Sequence, residues 1–95
     1  MLTSKQRAVL KGIASKEDTI IQVGKGGISD ALIKQATDAL NKRELIKIKV
    51  LDTTPQAINE IAGIIKERTD SQIVHIIGAK IVLYKKNKKK PVIEI

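Results

Sequence analysis

A single aromatic side chain, Tyr84, stands among 95 residues, with no Phe and no Trp. Any core this chain builds must therefore consist of Ile, Leu, Val and Ala. The chain is 42% apolar, too much for a disordered basic tail, and its length gives room for one domain. Lys and Arg total 18 against 10 Asp and Glu, a net charge of +8. A folded domain with a cationic surface favours an anionic partner, either nucleic acid or an acidic membrane face.

The apolar residues change period along the chain. Thr3 to Ser15 places Ala8, Leu10, Ile13 and Ala14 at helical spacing, with Thr3 or Ser4 able to cap and Gly12 weakening the helix by about 1 kcal/mol. Thr19-Ile20-Ile21-Gln22-Val23 is short and β-branched, which suits a strand. After Gly24-Lys25-Gly26-Gly27, a helix is expected from Ile28-Ser29 to about Lys42, with Ala31, Leu32, Gln35, Ala36, Ala39 and Leu40 inward. Leu45 to Leu51 alternates, Ile46, Ile48 and Val50 on one face and Lys47 and Lys49 on the other. Thr54 can cap a helix with Pro55 at its first position, running to about Arg68. Gln72 to Ile77 and Lys80 to Tyr84 read as a hairpin turning at Gly78-Ala79. The order α-β-α-β-α-β-β predicts a small two-layer α/β sandwich, helices packed on a four-stranded mixed sheet. The domain is expected over residues 1–86, followed by a basic tail over 87–95.

Several chemistries drop out. Without cysteine there is no disulfide, thiolate metal site or cysteine nucleophile. No stretch resembles a signal peptide or reaches the roughly 18 apolar residues of a membrane span, so a cytoplasmic protein is expected. The lone His75 alternates with Ile73 and Ile77, which suits a half-buried structural side chain. Asp52 and Glu44 flank the Lys-rich strand without forming an acid–base pair. No catalytic group, cofactor, metal ligand or small-molecule substrate is therefore expected.

Gly24-Lys25-Gly26-Gly27 is the sharpest motif. Glycines let a backbone approach a ligand, the following helix start offers free N–H groups, and Lys25 adds a full charge. The spacing is neither that of a nucleotide P-loop nor of the dinucleotide fingerprint, since Ser29 stands where a third glycine is needed. It matches the G-x-x-G by which KH domains clamp a nucleic-acid backbone, while a plain strand-to-helix turn is the alternative. Between Lys80 and Lys90 lie six lysines and no acid, most of the net charge; the run suits a phosphate-binding arm or a solvated terminus. Without aromatics to stack bases, binding must rest on phosphates, sugars and shape, which suits structured RNA.

Four ordered pieces carry a further resemblance. These are Leu2-Thr3-Ser4-Lys5-Gln6-Arg7, Val23-Gly24-Lys25-Gly26-Gly27-Ile28-Ser29, Glu44-Leu45-Ile46-Lys47-Ile48-Lys49-Val50 and Ile77-Gly78-Ala79-Lys80-Ile81-Val82-Leu83-Tyr84. Their order and spacing over residues 2–86 resemble the CRM domain (chloroplast RNA splicing and ribosome maturation), in particular its stand-alone bacterial YhbY-type members. The resemblance implies a fold similar to the C-terminal domain of translation initiation factor three. It also implies non-catalytic RNA binding and, in bacteria, association with precursors of the large ribosomal subunit. The family's G-x-x-G falls on Gly24, Lys25, Gly26 and Gly27. Family members often end the last strand Tyr-Arg, where this chain has Tyr84-Lys85, keeping the charge and losing the guanidinium fork.

The leading expectation is a monomeric RNA-binding protein of ribosome assembly. Gly24, Lys25, Gly26, Gly27 and Ser29 would form its contact loop, with Lys5, Arg7, Lys11, Lys47, Lys49 and Lys85 adding sequence-independent charge. The alternatives are a membrane-surface protein held by Lys85–Lys90 beside Val92, Ile93 and Ile95, or an adaptor for an acidic protein.

Overall fold

The computed structural model describes residues 2–87 and Ile93. The elements follow the expected order: α1 (Ser4–Ala14), β1 (Ile21–Val23), α2 (Asp30–Arg43), β2 (Leu45–Val50), α3 (Ile58–Thr69), β3 (Gln72–Ile77) and β4 (Lys80–Tyr84). The four strands form one mixed sheet in the order β1-β2-β4-β3. β1 lies parallel to β2, joined by α2, and β4 pairs antiparallel with both β2 and β3. The β3–β4 hairpin turns on Gly78, whose φ of 57° at the first central position matches a type II′ turn.

The core lies on both faces of the sheet and is aliphatic apart from Tyr84, which joins the expected Ile, Leu, Val and Ala. On one face, Leu32, Ile33, Ala36 and Leu40 of α2 and Ile61, Ala62 and Ile65 of α3 pack against strand residues such as Ile46, Ile48, Ile81 and Leu83. On the other, Leu10 and Ala14 of α1 cover Leu45, Val74, Val82 and Tyr84. The expected sandwich of helices on a mixed sheet is thus made by α2 and α3, and α1 adds a partial layer on the opposite face. Fully burying a side chain such as Leu10 or Ile48 contributes about 1.5–3 kcal/mol.

Local chemistry sets the helix ends. Thr3 and Gln6 form a reciprocal capping box at α1, and Ser29 Oγ accepts from Leu32 N at 3.1 Å to cap α2. The inward face of α2 is rotated from the expected one: Ile33 is buried, while Ala31 and Gln35 are exposed. Ala8 is exposed too, since α1 meets the sheet through Leu10 and Ala14. α3 begins three residues after Pro55 with Ala57 as its uncapped N-cap, because the Thr54 hydroxyl donates instead to Val23 O at 2.8 Å. β1 is shorter than expected, starting at Ile21.

Glu44 is fully buried, adopts φ 63° and closes the C-terminus of α2. Its carboxylate accepts from Asn87 N and Ile93 N at 2.6 Å each, and its carbonyl from Lys85 N at 2.8 Å. Ile93, like Leu2 and Ile13, packs against the α1-side core. The boundary expected at Lys86 is therefore crossed by contacts from both described residues beyond it. Lys88–Lys90, Val92 and Ile95 lie outside the described residues.

Candidate nucleic-acid interface

The glycine loop is a tight turn on a fixed base. Gly27 N donates to Gly24 O at 2.9 Å, leaving Lys25 and Gly26 exposed at the tip. Neither tip residue has positive φ, as in a type I turn, which favours glycine in the fourth place. The base is held from the β2–α3 connection, where Leu51 N and Thr54 Oγ1 both donate to Val23 O at 2.8 Å.

The glycines are not equivalent. Gly27 has φ 65°, and a Cβ there would stand 2.9 Å from Gln56 Oε1 and 3.4 Å from Pro55 Cγ. Gly24 would place a Cβ 3.4 Å from Leu51 Cδ1, an ordinary close contact. A Cβ on Gly26 would meet nothing within 4 Å. Gly27 is thus required by the fold, whereas the bare side of Gly26 faces open space into which a ligand's backbone can come close. The N-terminus of α2 lies directly beyond, its partial positive charge opposed by Asp30, which pairs with Arg68 at 2.8 Å.

The eleven residues expected to contact RNA do not form one patch. Gly24, Lys25, Gly26, Gly27 and Ser29 are brought together by the turn and the α2 cap. Lys47 and Lys49 point to the α1 side of the sheet, as alternation requires, and Lys47 Nζ donates to Glu17 O at 3.0 Å. Lys11, on α1, shares a cleft with Lys47. Lys5 is exposed in the first turn of α1, away from the loop.

Arg7 and Lys85 have partners within the protein. Arg7 Nη1 donates to Ile73 O and Val74 O, 2.6 Å each, at an irregularity in β3. Lys85 Nζ donates to Thr69 O at 3.0 Å and so closes the C-terminus of α3. Both sit near the Gln72–Tyr84–Leu45 end of the sheet, opposite the end from which the glycine loop leaves β1.

The irregularity in β3 was not visible in the sequence. Ile73 pairs with Leu83 and His75 with Val82, so Val74 is an extra residue, a β-bulge. Ile73 faces α2 and α3, and both Val74 and His75 turn toward α1. The expected alternation of His75 with Ile73 fails for this reason. His75 instead lines a cleft with Lys11, Ser15, Lys47 and Lys80. Burial, and then the charges of Lys11 and Lys47, hold its imidazole below the usual 6.5. Lys80 and Ser15 were missed as candidates; only the strand alternation after Lys80 places it on the same face as Lys47 and Lys49.

The described residues contain no group of three or more His, Asp or Glu able to hold a metal ion, and no helix long and apolar enough to cross a membrane. Residues 2–85 match the CRS1 / YhbY (CRM) domain model. The chain is 44% identical over 95 residues to the Bacillus subtilis protein named Probable RNA-binding protein YqeI, covering 100% of this chain and 99% of that one. It is 32% identical over 84 residues to a Haemophilus influenzae protein named RNA-binding protein, covering 88% and 85% of the two chains. The solution structure of SAV1595 from Staphylococcus aureus superposes with a TM-score of 0.83 at 43% identity, covering 100% of this chain and 99% of that one.

Proposed function

The chain belongs to the CRS1 / YhbY (CRM) domain family, and from that premise we propose that it is a non-catalytic protein that binds structured RNA through backbone phosphates. The observation that carries this reading is the turn tip: Lys25 and Gly26 are exposed, and Gly26 has open space where a side chain would stand. A phosphate docked there meets the Lys25 ammonium and the start of α2, while the base of the turn stays fixed by Val23, Leu51 and Thr54. The relatives named as RNA-binding proteins support RNA as the polyanion. The described residues offer no stacking platform, since Tyr84 is buried, so shape and phosphate carry recognition rather than base identity.

The resemblance noted in the sequence extends the proposal to ribosome assembly: the protein acts as a monomer on ribosomal RNA in precursors of the large subunit, in the cytoplasm. The membrane-surface alternative is disfavoured because Ile93, part of its apolar tip, packs against the α1-side core. Sedimentation of a cell lysate through sucrose at low and moderate salt tests the assignment. Co-migration with particles slightly lighter than the mature large subunit, reduced by salt and by Lys25→Ala, is expected. A signal confined to the top of the gradient at both salts would argue against ribosomal association. With a purified RNA hairpin, Lys25→Ala should lower the salt slope of binding by about 1.

A further inference from the structure

We propose that the cleft between the last turn of α1 and the open face of β2, β4 and β3 is a second RNA-backbone site, in which Lys11, Lys47 and Lys80 hold a phosphate and His75 takes up a proton as it docks. This inference rests on the RNA-binding reading, but concerns a surface separate from the glycine loop.

The cleft has a volume of about 200 Å³, with Val82 and Ala14 at its apolar wall. Among the described residues, the charged groups that line the cleft with His75 are Lys11 from α1, Lys47 from β2 and Lys80 from β4, with no carboxylate beside them. Lys11 and Lys47 act electrostatically on the imidazole and Lys80 lines the same cleft, so the described lining carries positive charge that suits a phosphate. The bulge at Val74 turns His75 into this position, and Arg7 holds the bulge through the carbonyls of Ile73 and Val74. Lys47 is steadied by its bond to Glu17 O.

Partial burial, and then the charges of Lys11 and Lys47, favour the neutral imidazole. A phosphate offsets the lysine charges and accepts from an imidazolium N–H, so docking shifts the imidazole toward its protonated form. The cleft also connects to the loop. Lys80 pairs with Lys49, and Lys49 with Gln22, on one face of three adjacent strands. With strands about 4.8 Å apart, this row covers about 10 Å and ends two residues before Gly24. One RNA backbone can follow it from the turn tip to the cleft.

His75 is the only histidine, so its ring-proton NMR signals need no assignment. Titrating them in the free protein, with a saturating RNA hairpin and with tripolyphosphate tests the site. The midpoint should rise by about one unit with either probe, and the hairpin should bind about tenfold tighter at pH 5.5 than at pH 7.5. Lys80→Gln, at an exposed position, should shrink the midpoint rise, and His75→Gln should make binding independent of pH over this range. If the hairpin binds and Lys25→Ala weakens it, yet the midpoint stays fixed, the cleft is overturned and the loop reading stands. If tripolyphosphate raises the midpoint but no hairpin binds, RNA is overturned as the occupant. A midpoint unmoved by both probes overturns the site itself.

Discussion

Gln56 Oε1 stands 2.9 Å from the point a Cβ on Gly27 would occupy, so the β2–α3 connection fills the space a side chain would need in the loop. Gly27 also has φ 65°, which L side chains adopt at a cost. Gly27→Ala should therefore destabilise the fold by about 1–2 kcal/mol, measured by urea unfolding. Gly26→Ala has no such obstacle and should leave stability within about 0.5 kcal/mol while weakening RNA binding. Equal loss of stability in both variants would contradict the division of labour between the two glycines.

Arg7 is tied into the fold by two backbone carbonyls. Arg7→Ala removes the charged donor to Ile73 O and Val74 O, and should cost about 1.5–3 kcal/mol of stability. The salt slope of RNA binding should stay unchanged, in contrast to Lys25→Ala. A fall in the slope by about 1 with stability intact would return Arg7 to the phosphate contacts.

His75 links stability to pH in a stated direction. Its folded form resists protonation through burial, Lys11 and Lys47. The unfolded chain therefore takes the proton first as pH falls through about 6.5, and stability should fall there until the folded form titrates as well. His75→Gln should flatten that part of the thermal-melting profile. An unchanged profile would place the pH dependence elsewhere.

Tyr84 behaves in the opposite sense at alkaline pH. Burial, and then the Glu44 charge, raise its phenol above the usual 10.0, and its buried hydroxyl has no hydrogen-bond partner among the described residues. The unfolded chain releases this proton first, so stability should fall as pH rises past about 10 and level off above the folded value. Tyr84→Phe should remove this loss and be neutral or stabilising at pH 7, since it deletes an unpaired polar atom. Destabilisation beyond about 1 kcal/mol in a denaturant titration would mean the hydroxyl has a partner.

Much of the fold was legible because its elements differ in period. The alternation of Ile46, Ile48 and Val50 with Lys47 and Lys49 placed β2 and its basic side correctly, and Ser29 capped α2 as expected. Thr54 and Pro55 misled because a capping hydroxyl can equally close a loop, and here Val23 O claims it. The bulge left no trace in composition: Gln72 to Ile77 is a run of strand formers in which a one-residue offset changes nothing but which face each side chain takes. For the same reason His75 could not be joined to Lys11 and Lys47 from sequence. Sequence records the charges of Arg7 and Lys85 without recording the carbonyls they meet.

Hydropathy draws a border after Lys86, where β4 gives way to lysines, but the buried carboxylate of Glu44 draws it later. Two amide groups from beyond that border, Asn87 and Ile93, converge on one side chain at the far end of α2. Shortening the chain at Lys86 would thus strip donors from a charge that water does not reach, and the loss would register as unfolding. An experiment that trims the terminus to ask about its positive charge would answer a different question, about a latch.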